Sequence, residues 1–220
     1  MNVLTIDVGG SHVKVLRSGL RAPRRADSGP DLRPARLVNL VRELADGWSY
    51  DAVSLGYPGL VVHGKIAAEP HNLGSGWMRY DFPRAFRKPT RVLNDAAMQA
   101  LGSYQGGRML FLGLGTGLGS AVIADGDLQP MELGHLPYRK GRSYEDYVGA
   151  RGYEKYGKKK WRKHVLAVVE ILRGALEPDY VVVGGGNAKK LGDLPAGVRL
   201  GDNGNAFLGG FRLWRDEDRP

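Results

Sequence analysis

"LGLGTGLGS", residues 112–120, puts glycine at every second position, Gly113, Gly115, Gly117 and Gly119, just before the apolar "AVI". Glycine loses more conformational entropy on folding than any other residue, so this density asks for a cause. Either the backbone turns sharply, or something must come very close to it. The longer stretch "MLFLGLGTGLGSAVIADGDL" reads as strand, glycine turn, strand. The N-terminus repeats the plan. "NVLTID" reads as a buried strand ending at Asp7, and "VGGSHVKVLR" turns through Gly9-Gly10 into a second strand, so residues 3–17 form a hairpin. Residues 3–16 and 110–123 are thus an internal echo, each followed later by a helix and a further strand. The expectation is two related lobes, residues 1–107 and 108–220, divided within "YQGGR".

Between these hairpins the pattern alternates. Residues 18–34 are rich in Arg, Pro and Gly and read as irregular, whereas 35–46 place Leu37, Leu40, Val41 and Leu44 at helical spacing. "DAVSLGYPG" reads as a strand closing on a Pro-Gly turn, "LVVHGKIAAE" as a hairpin around Gly64, and "RVLND" as a strand leading into a helical "AAMQALGSY". "WRKHVLAVVEILRGALE" carries the apolar stripe Val165, Val168, Val169, Leu172 and Leu176 of a long helix. "DYVVVGGGNAKKL" reads as strand, glycine loop and short helix, and "NAFLGGFRLW" as a terminal helix whose Gly209-Gly210 permits close packing.

The composition narrows the class. The chain has 220 residues, 42% of them hydrophobic, with no apolar run near the roughly 20 residues that span a bilayer. "MNVLTIDVGG" lacks the basic and apolar regions of a signal peptide. With no cysteine, disulfides, thiolate metal sites and cysteine nucleophiles are excluded, and a cytoplasmic setting is expected. The net charge of +9 favours phosphates or other polyanions as ligands, or is simply a basic surface.

A tight glycine turn aims several backbone N–H groups at one point and so suits a phosphate. "GLGTGLG" is not G-x-G-x-x-G, and a strand follows it, which argues against a dinucleotide fold. In "DVGGSHVK", Asp7 precedes the glycines and Ser11 and Lys14 follow. A carboxylate beside a phosphate site suits a hydrated divalent cation, while the hydroxyl and amine suit phosphate oxygens. A third glycine loop, Gly184 to Asn187 in "VVVGGGNA", follows a strand and could accept a flat ring or a phosphate. Each loop alone could be a purely structural turn.

Taken in order, "DVGGSHVK", "GLGTGLG" and "VVVGGGNA" resemble the two phosphate loops and the adenosine loop of the actin-like ATPase and sugar kinase superfamily. "LGYPG", "VLNDA" and "ELGH" make the chain similar to the ROK family of sugar kinases and repressors, and "YEDYVGARGYEKYGKKKW" resembles its polyphosphate glucokinase branch. The resemblance implies an α/β fold of two ribonuclease-H-like lobes with a central cleft. It implies donor contacts at Asp7, Gly9, Gly10, Ser11, Lys14, Gly115, Thr116, Gly117, Gly185, Gly186 and Asn187, with Mg²⁺ near Asp7. It makes Asp95 the catalytic base, although a strand-end Asp before "AAMQAL" could equally cap that helix. Sugar contacts are implied at Asn94, Gly59, Asn72, Glu132, His135 and Glu145, with Asp146 as the rival to Glu145; Trp77 is expected to pack.

The activity implied is transfer of a phosphoryl group from ATP or inorganic polyphosphate to the 6-hydroxyl of glucose or a close hexose. The family's zinc-binding cysteines are missing after His135, so no zinc is expected. The run "KYGKKKWRKH", residues 155–164, could lie along polyphosphate or be a solvated helix face. The alternative is a non-catalytic sugar-sensing regulator, but the family's repressors carry an added helix-turn-helix for which 220 residues leave no room. Nucleic acid is not expected as a partner, since aromatic residues are sparse in the basic run, and no membrane is expected, since no apolar run is long enough to span one. The resemblance points to a homodimer. Relative to the family, residues 17–50 and the C-terminal stretch are abbreviated.

Overall fold

The computed structural model describes residues 1–202 and 204–214. The expected second lobe ran to residue 220, so Asn203 and residues 215–220 of it lie outside the described residues. The described chain divides into two compact units, the first formed by Met1–Gly102 together with residues 206–214, the second by Ser103–Asn205. Residues 206–214 therefore join the first unit, and the division falls five residues before the expected one.

The first unit contains β1 (Val3–Val8), β2 (His12–Arg17), β3 (Arg24–Asp27), α1 (Pro34–Leu44), β4 (Ala52–Tyr57), the small hairpin β5 (Val61–Val62) and β6 (Lys65–Ile66), α2 (Phe82–Phe86), β7 (Thr90–Asn94) and α3 (Asp95–Ser103). Its five-stranded sheet runs β3-β2-β1-β4-β7. β1 pairs antiparallel with β2 and parallel with β4, and β4 pairs parallel with β7. Every residue of β4 is buried, as a central parallel strand covered on both faces requires. In α1, Leu37, Val38 and Val41 fall on the buried stripe, and Pro34 fits the first turn, where no amide partner is needed.

The second unit contains β8 (Arg108–Leu114), β9 (Leu118–Ala124), β10 (Asp127–Met131), α4 (Tyr144–Val148), α5 (Ala150–Leu176), β11 (Tyr180–Gly184) and β12 (Val198–Leu200). Its sheet runs β10-β9-β8-β11-β12, with β8, β11 and β12 parallel. The small hairpin aside, both units use one order: three antiparallel strands, then two more parallel to the first. The echo between residues 3–16 and 110–123 is the matched pair of hairpins β1–β2 and β8–β9.

α6 (Asn205–Arg212) closes on the first unit, where Ser54 Oγ donates to the Gly210 carbonyl at 2.6 Å. A Cβ at Gly209 would overlap the Met98 carbonyl, and one at Gly210 would overlap Thr5. The close packing expected of this glycine pair is present.

Two strands depart from the sequence expectation. Residues 18–34 are not wholly irregular, because Arg24–Asp27 pair with His12–Val15 as β3. This edge strand is charged and largely exposed, so its pairing with β2 holds it without an apolar face. β10 was hidden in the tail of the glycine-rich stretch. Asp125 and Gly126 have φ of 52° and 89°, and Asp127 faces Ala124 across a two-residue loop. That is the Asp-Gly turn preferred in tight hairpins. α5 also bends inside the basic run, at Gly157, whose φ of 69° is costly for any side chain.

Candidate active site

Parallel strands end together, and in the first unit those ends gather the expected residues. Asp7 lies one residue before the end of β1, Gly59 just past β4, and Asn94 at the end of β7, in register through the Asp7–Gly56 and Tyr57–Asn94 pairs. Such carboxyl ends are where open α/β sheets bind ligands. Lys14 is the cross-strand partner of Asp7, with its Nζ 3.3 Å from Asp7 Oδ2 and the Asp7 side chain only 13% exposed. The turn is closed by the Gly9 amide donating to the His12 carbonyl at 2.9 Å, and it leaves Gly10 and Ser11 exposed. A Cβ at Gly10 would lie 3.6 Å from the Cβ of Asn72, so this exposed asparagine stands beside the turn.

The cap on α3 is Asn94 rather than Asp95 alone. Asn94 Oδ1 accepts from the amides of Ala96 at 2.9 Å and Ala97 at 3.2 Å, and its Nδ2 donates to the Gly59 carbonyl at 3.0 Å. Asp95 is partly exposed at the first helical position, and its Oδ1 accepts from the Ala96 amide at 2.8 Å. Beneath Gly59, Tyr57 packs against buried Trp77 with ring centres 5.3 Å apart, and its hydroxyl donates to the Ala68 carbonyl at 2.9 Å. Burial pushes the Tyr57 hydroxyl above its ordinary range, so it stays a donor.

In the second unit, the glycine loops after β8 and β11 meet. The Asn187 amide donates to the Leu114 carbonyl at 3.0 Å, and its side-chain Nδ2 to the Gly115 carbonyl at 3.2 Å. Gly185, at φ 83°, lies so close to the Leu114 backbone that a Cβ would stand 2.6 Å from its carbonyl oxygen. Gly186 and Thr116 are exposed. The start of α5 also joins: the Ala150 amide donates at 3.1 Å to both the Gly115 and Thr116 carbonyls, and a Cβ at Gly149 would meet the Thr116 oxygen at 2.5 Å. Sequence reading missed Gly149 and Ala150. The only signal was a glycine ahead of a helical run.

Glu132 precedes and His135 ends a single 3-10 turn (Leu133–His135), both exposed, with the His135 amide donating to the Glu132 carbonyl at 3.2 Å. Gly134 lets this turn sit against β9, since a Cβ there would be 2.8 Å from the Leu118 carbonyl. Glu145 stands beside it, its Cβ 3.6 Å from that point and its carboxylate against Gly117. Asp146 is committed elsewhere. Its Oδ2 accepts from the Ser143 amide and hydroxyl, each at 3.1 Å, and the backbone bond foremost holds its carboxyl below the usual range. The structure thus brings Gly115, Thr116 and Gly117 together with Asn187, and Glu145 with Gly117 and the Glu132–His135 turn.

Asp7 is the carboxylate that could face a magnesium ion beside the first glycine turn. Among the described residues no three His, Asp or Glu side chains cluster as a protein metal cage would require. Magnesium keeps most of its water and needs only one or two carboxylates beside phosphate, so a single partly buried Asp7 fits it. No helix among the described residues is long and apolar enough to cross a membrane.

Two sheets of this order, with glycine turns at the ends of their parallel strands, define the actin-like ATPase fold. The ROK family model matches residues 3–143, and the chain belongs to the ROK family. It is similar to polyphosphate glucokinase of Mycobacterium tuberculosis (strain ATCC 25177 / H37Ra), 29% identical over 207 residues, covering 84% of this chain and 77% of that protein. Inorganic polyphosphate/ATP-glucomannokinase of Arthrobacter sp. strain KM superposes with a TM-score of 0.82 at 24% identity, over 96% of this chain and 97% of that one. A ROK family glucokinase of Streptomyces griseus, solved with glucose and AMPPNP, gives 0.78 at 16% identity, over 97% and 99%.

Proposed function

We propose that this protein is a sugar kinase that transfers a phosphoryl group from ATP or inorganic polyphosphate to the 6-hydroxyl of glucose or a related hexose. One observation carries the reading. Asp95 follows the cap residue Asn94 at the end of β7, on the edge of the sheet where Asp7 and the first glycine turn also end.

In this reading Glu132, His135 and Glu145 hold sugar hydroxyls by accepting and donating hydrogen bonds, helped by Asn94, Asn72 and the Gly59 backbone. The Asp95 carboxylate takes the proton of the 6-hydroxyl as that oxygen bonds to the terminal phosphorus. The bond from phosphorus to the bridging oxygen breaks, and its electron pair leaves with the shortened donor. Amides of the turns at Gly9–Ser11 and Gly115–Gly117, with Lys14, stabilise charge on the transferring group, and Gly185–Asn187 serves the rest of the donor. Asp7 would hold Mg²⁺ largely through water, and the ion would neutralise donor charge there. The names of the similar proteins support both hexose and polyphosphate.

The test is purified protein with a panel of hexoses crossed against ATP and polyphosphate. Sugar-dependent phosphate transfer with at least one donor is expected. Sugar binding with no transfer from either donor would replace the kinase by a sugar-sensing regulator.

A further inference from the structure

We propose that the groove between the loop at residues 137–143 and α5 is a docking track for a linear inorganic polyphosphate chain, outside the glycine loops. The proposal rests on polyphosphate being a donor and names where its non-reacting length is held.

Two segments distant in sequence build the groove. Arg139, Lys140 and Arg142 come from the loop, and Lys155 and Lys160 from α5, around a cavity of about 750 Å³. An adjoining cavity of about 280 Å³ extends it to Lys163. No carboxylate lines either cavity, and among the described residues none of these six cations lies within ion-pair distance of a carboxylate, although the Asp146 carboxyl feels the Arg142 charge. Like charges in such excess repel, and a polyanion displacing small ions relieves that repulsion.

The core fixes where the lysines point. Trp161, Val165, Val168, Val169 and Leu172 are buried, and the Trp161 indole N–H donates to the Val148 carbonyl at 2.7 Å. The adjacent stripe, Lys160, Lys163, His164 and Ala167 at i, i+3, i+4 and i+7, therefore lines the cavity. The loop is equally defined. Tyr138 N–H donates to the Arg142 carbonyl at 2.8 Å, Arg142 N–H to the Arg139 carbonyl at 3.1 Å, and the Tyr147 hydroxyl to the Arg139 carbonyl at 3.3 Å.

The aromatic floor favours a polyanion without bases. Tyr147 is buried and stacks on Tyr156 at 5.2 Å, Lys155 Nζ sits 5.5 Å from the Tyr156 ring centre, and His164 meets Tyr147 edge-on at 4.8 Å. These rings are occupied by one another, whereas single-stranded nucleic acid needs free faces for stacking.

The experiment compares the full-length protein with Arg142→Gln/Lys160→Gln/Lys163→Gln, and with a charge-matched control, Arg36→Gln/Lys65→Gln/Lys88→Gln. Binding of fluorescent long-chain polyphosphate is read by anisotropy against salt, with circular dichroism checking the fold. The groove variant is expected to lose on the order of tenfold or more in affinity and about three units of salt slope, with the control unchanged. Its ATP-driven transfer should match the parent's, while the KM for long-chain polyphosphate rises and that for tripolyphosphate does not. Unchanged long-chain affinity in a folded groove variant, equal loss in the control, or tighter binding of a single-stranded RNA of equal charge would each overturn the track. Polyphosphate binding without any transfer would overturn the kinase reading and leave the track standing.

Discussion

Asn94 joins two strand ends through one amide, its Nδ2 donating to the Gly59 carbonyl at 3.0 Å while its Oδ1 caps α3 through Ala96 and Ala97. Asn94→Ala should therefore cost about 1 kcal/mol of stability, the usual worth of such a cap. Asn94→Asp keeps the capping acceptor but turns a carboxylate oxygen toward the Gly59 carbonyl, so it should recover only part of that loss. Thermal unfolding of the three proteins checks this; equal midpoints for Asn94→Ala and the parent would contradict it.

Neighbouring acids should separate by what they affect. Asp146 has a depressed folded pKa, so its stabilisation is fully present above the ordinary value of 3.8 and is lost as pH falls through the lower folded value. Asp146→Asn should thus be less stable than the parent at neutral pH, by about 1 kcal/mol, with the gap closing in strong acid. Glu145→Gln should leave the unfolding midpoint nearly unchanged and raise the KM for sugar.

Glycines in two helices should respond with opposite signs. Gly209→Ala drives a methyl into the Met98 carbonyl and should destabilise the first unit by about 1–3 kcal/mol. Gly174 lies in α5 with open space around its Cβ position, so Gly174→Ala should stabilise the second unit by about 0.5–1 kcal/mol. Denaturant unfolding reads both.

His164 should titrate below its ordinary 6.5, because burial and then Arg139 disfavour its charged form. It is surrounded by Tyr138, Tyr147 and Tyr156, with Arg139 and Lys160 beside it. Its folded pKa is lowered, so stability should be highest above about pH 6.5 and fall as pH drops toward that lower value. NMR titration of the ring should show the low pKa in the free protein and an upward move when polyphosphate occupies the groove.

Much of this was legible in the chain. Alternating apolar runs around Gly9-Gly10 and around Gly113–Gly119 disclosed both hairpins, and the stripe from Val165 to Leu172 disclosed α5, because period and burial are local properties. β3 was not legible: "RRAD" has no apolar face, and only pairing with β2 makes it a strand. β10 carried a readable Asp125-Gly126 signal that the neighbouring glycines obscured. At the site, sequence named the glycine loops, but the cap on Asn94 and the opposite fates of Glu145 and Asp146 depend on side-chain hydrogen bonds. The meeting of residues 139–142 with the lysines of α5 is a tertiary fact with no local signature.

In the proposed reaction the Asp95 carboxylate removes the proton of a sugar hydroxyl. Steady-state transfer to the best hexose by Asp95→Asn, with sugar affinity and the unfolding midpoint measured beside it, tests this most directly. A loss of about 10²–10⁴ in kcat with sugar affinity and fold retained is predicted. A folded Asp95→Asn protein as active as the parent would contradict it.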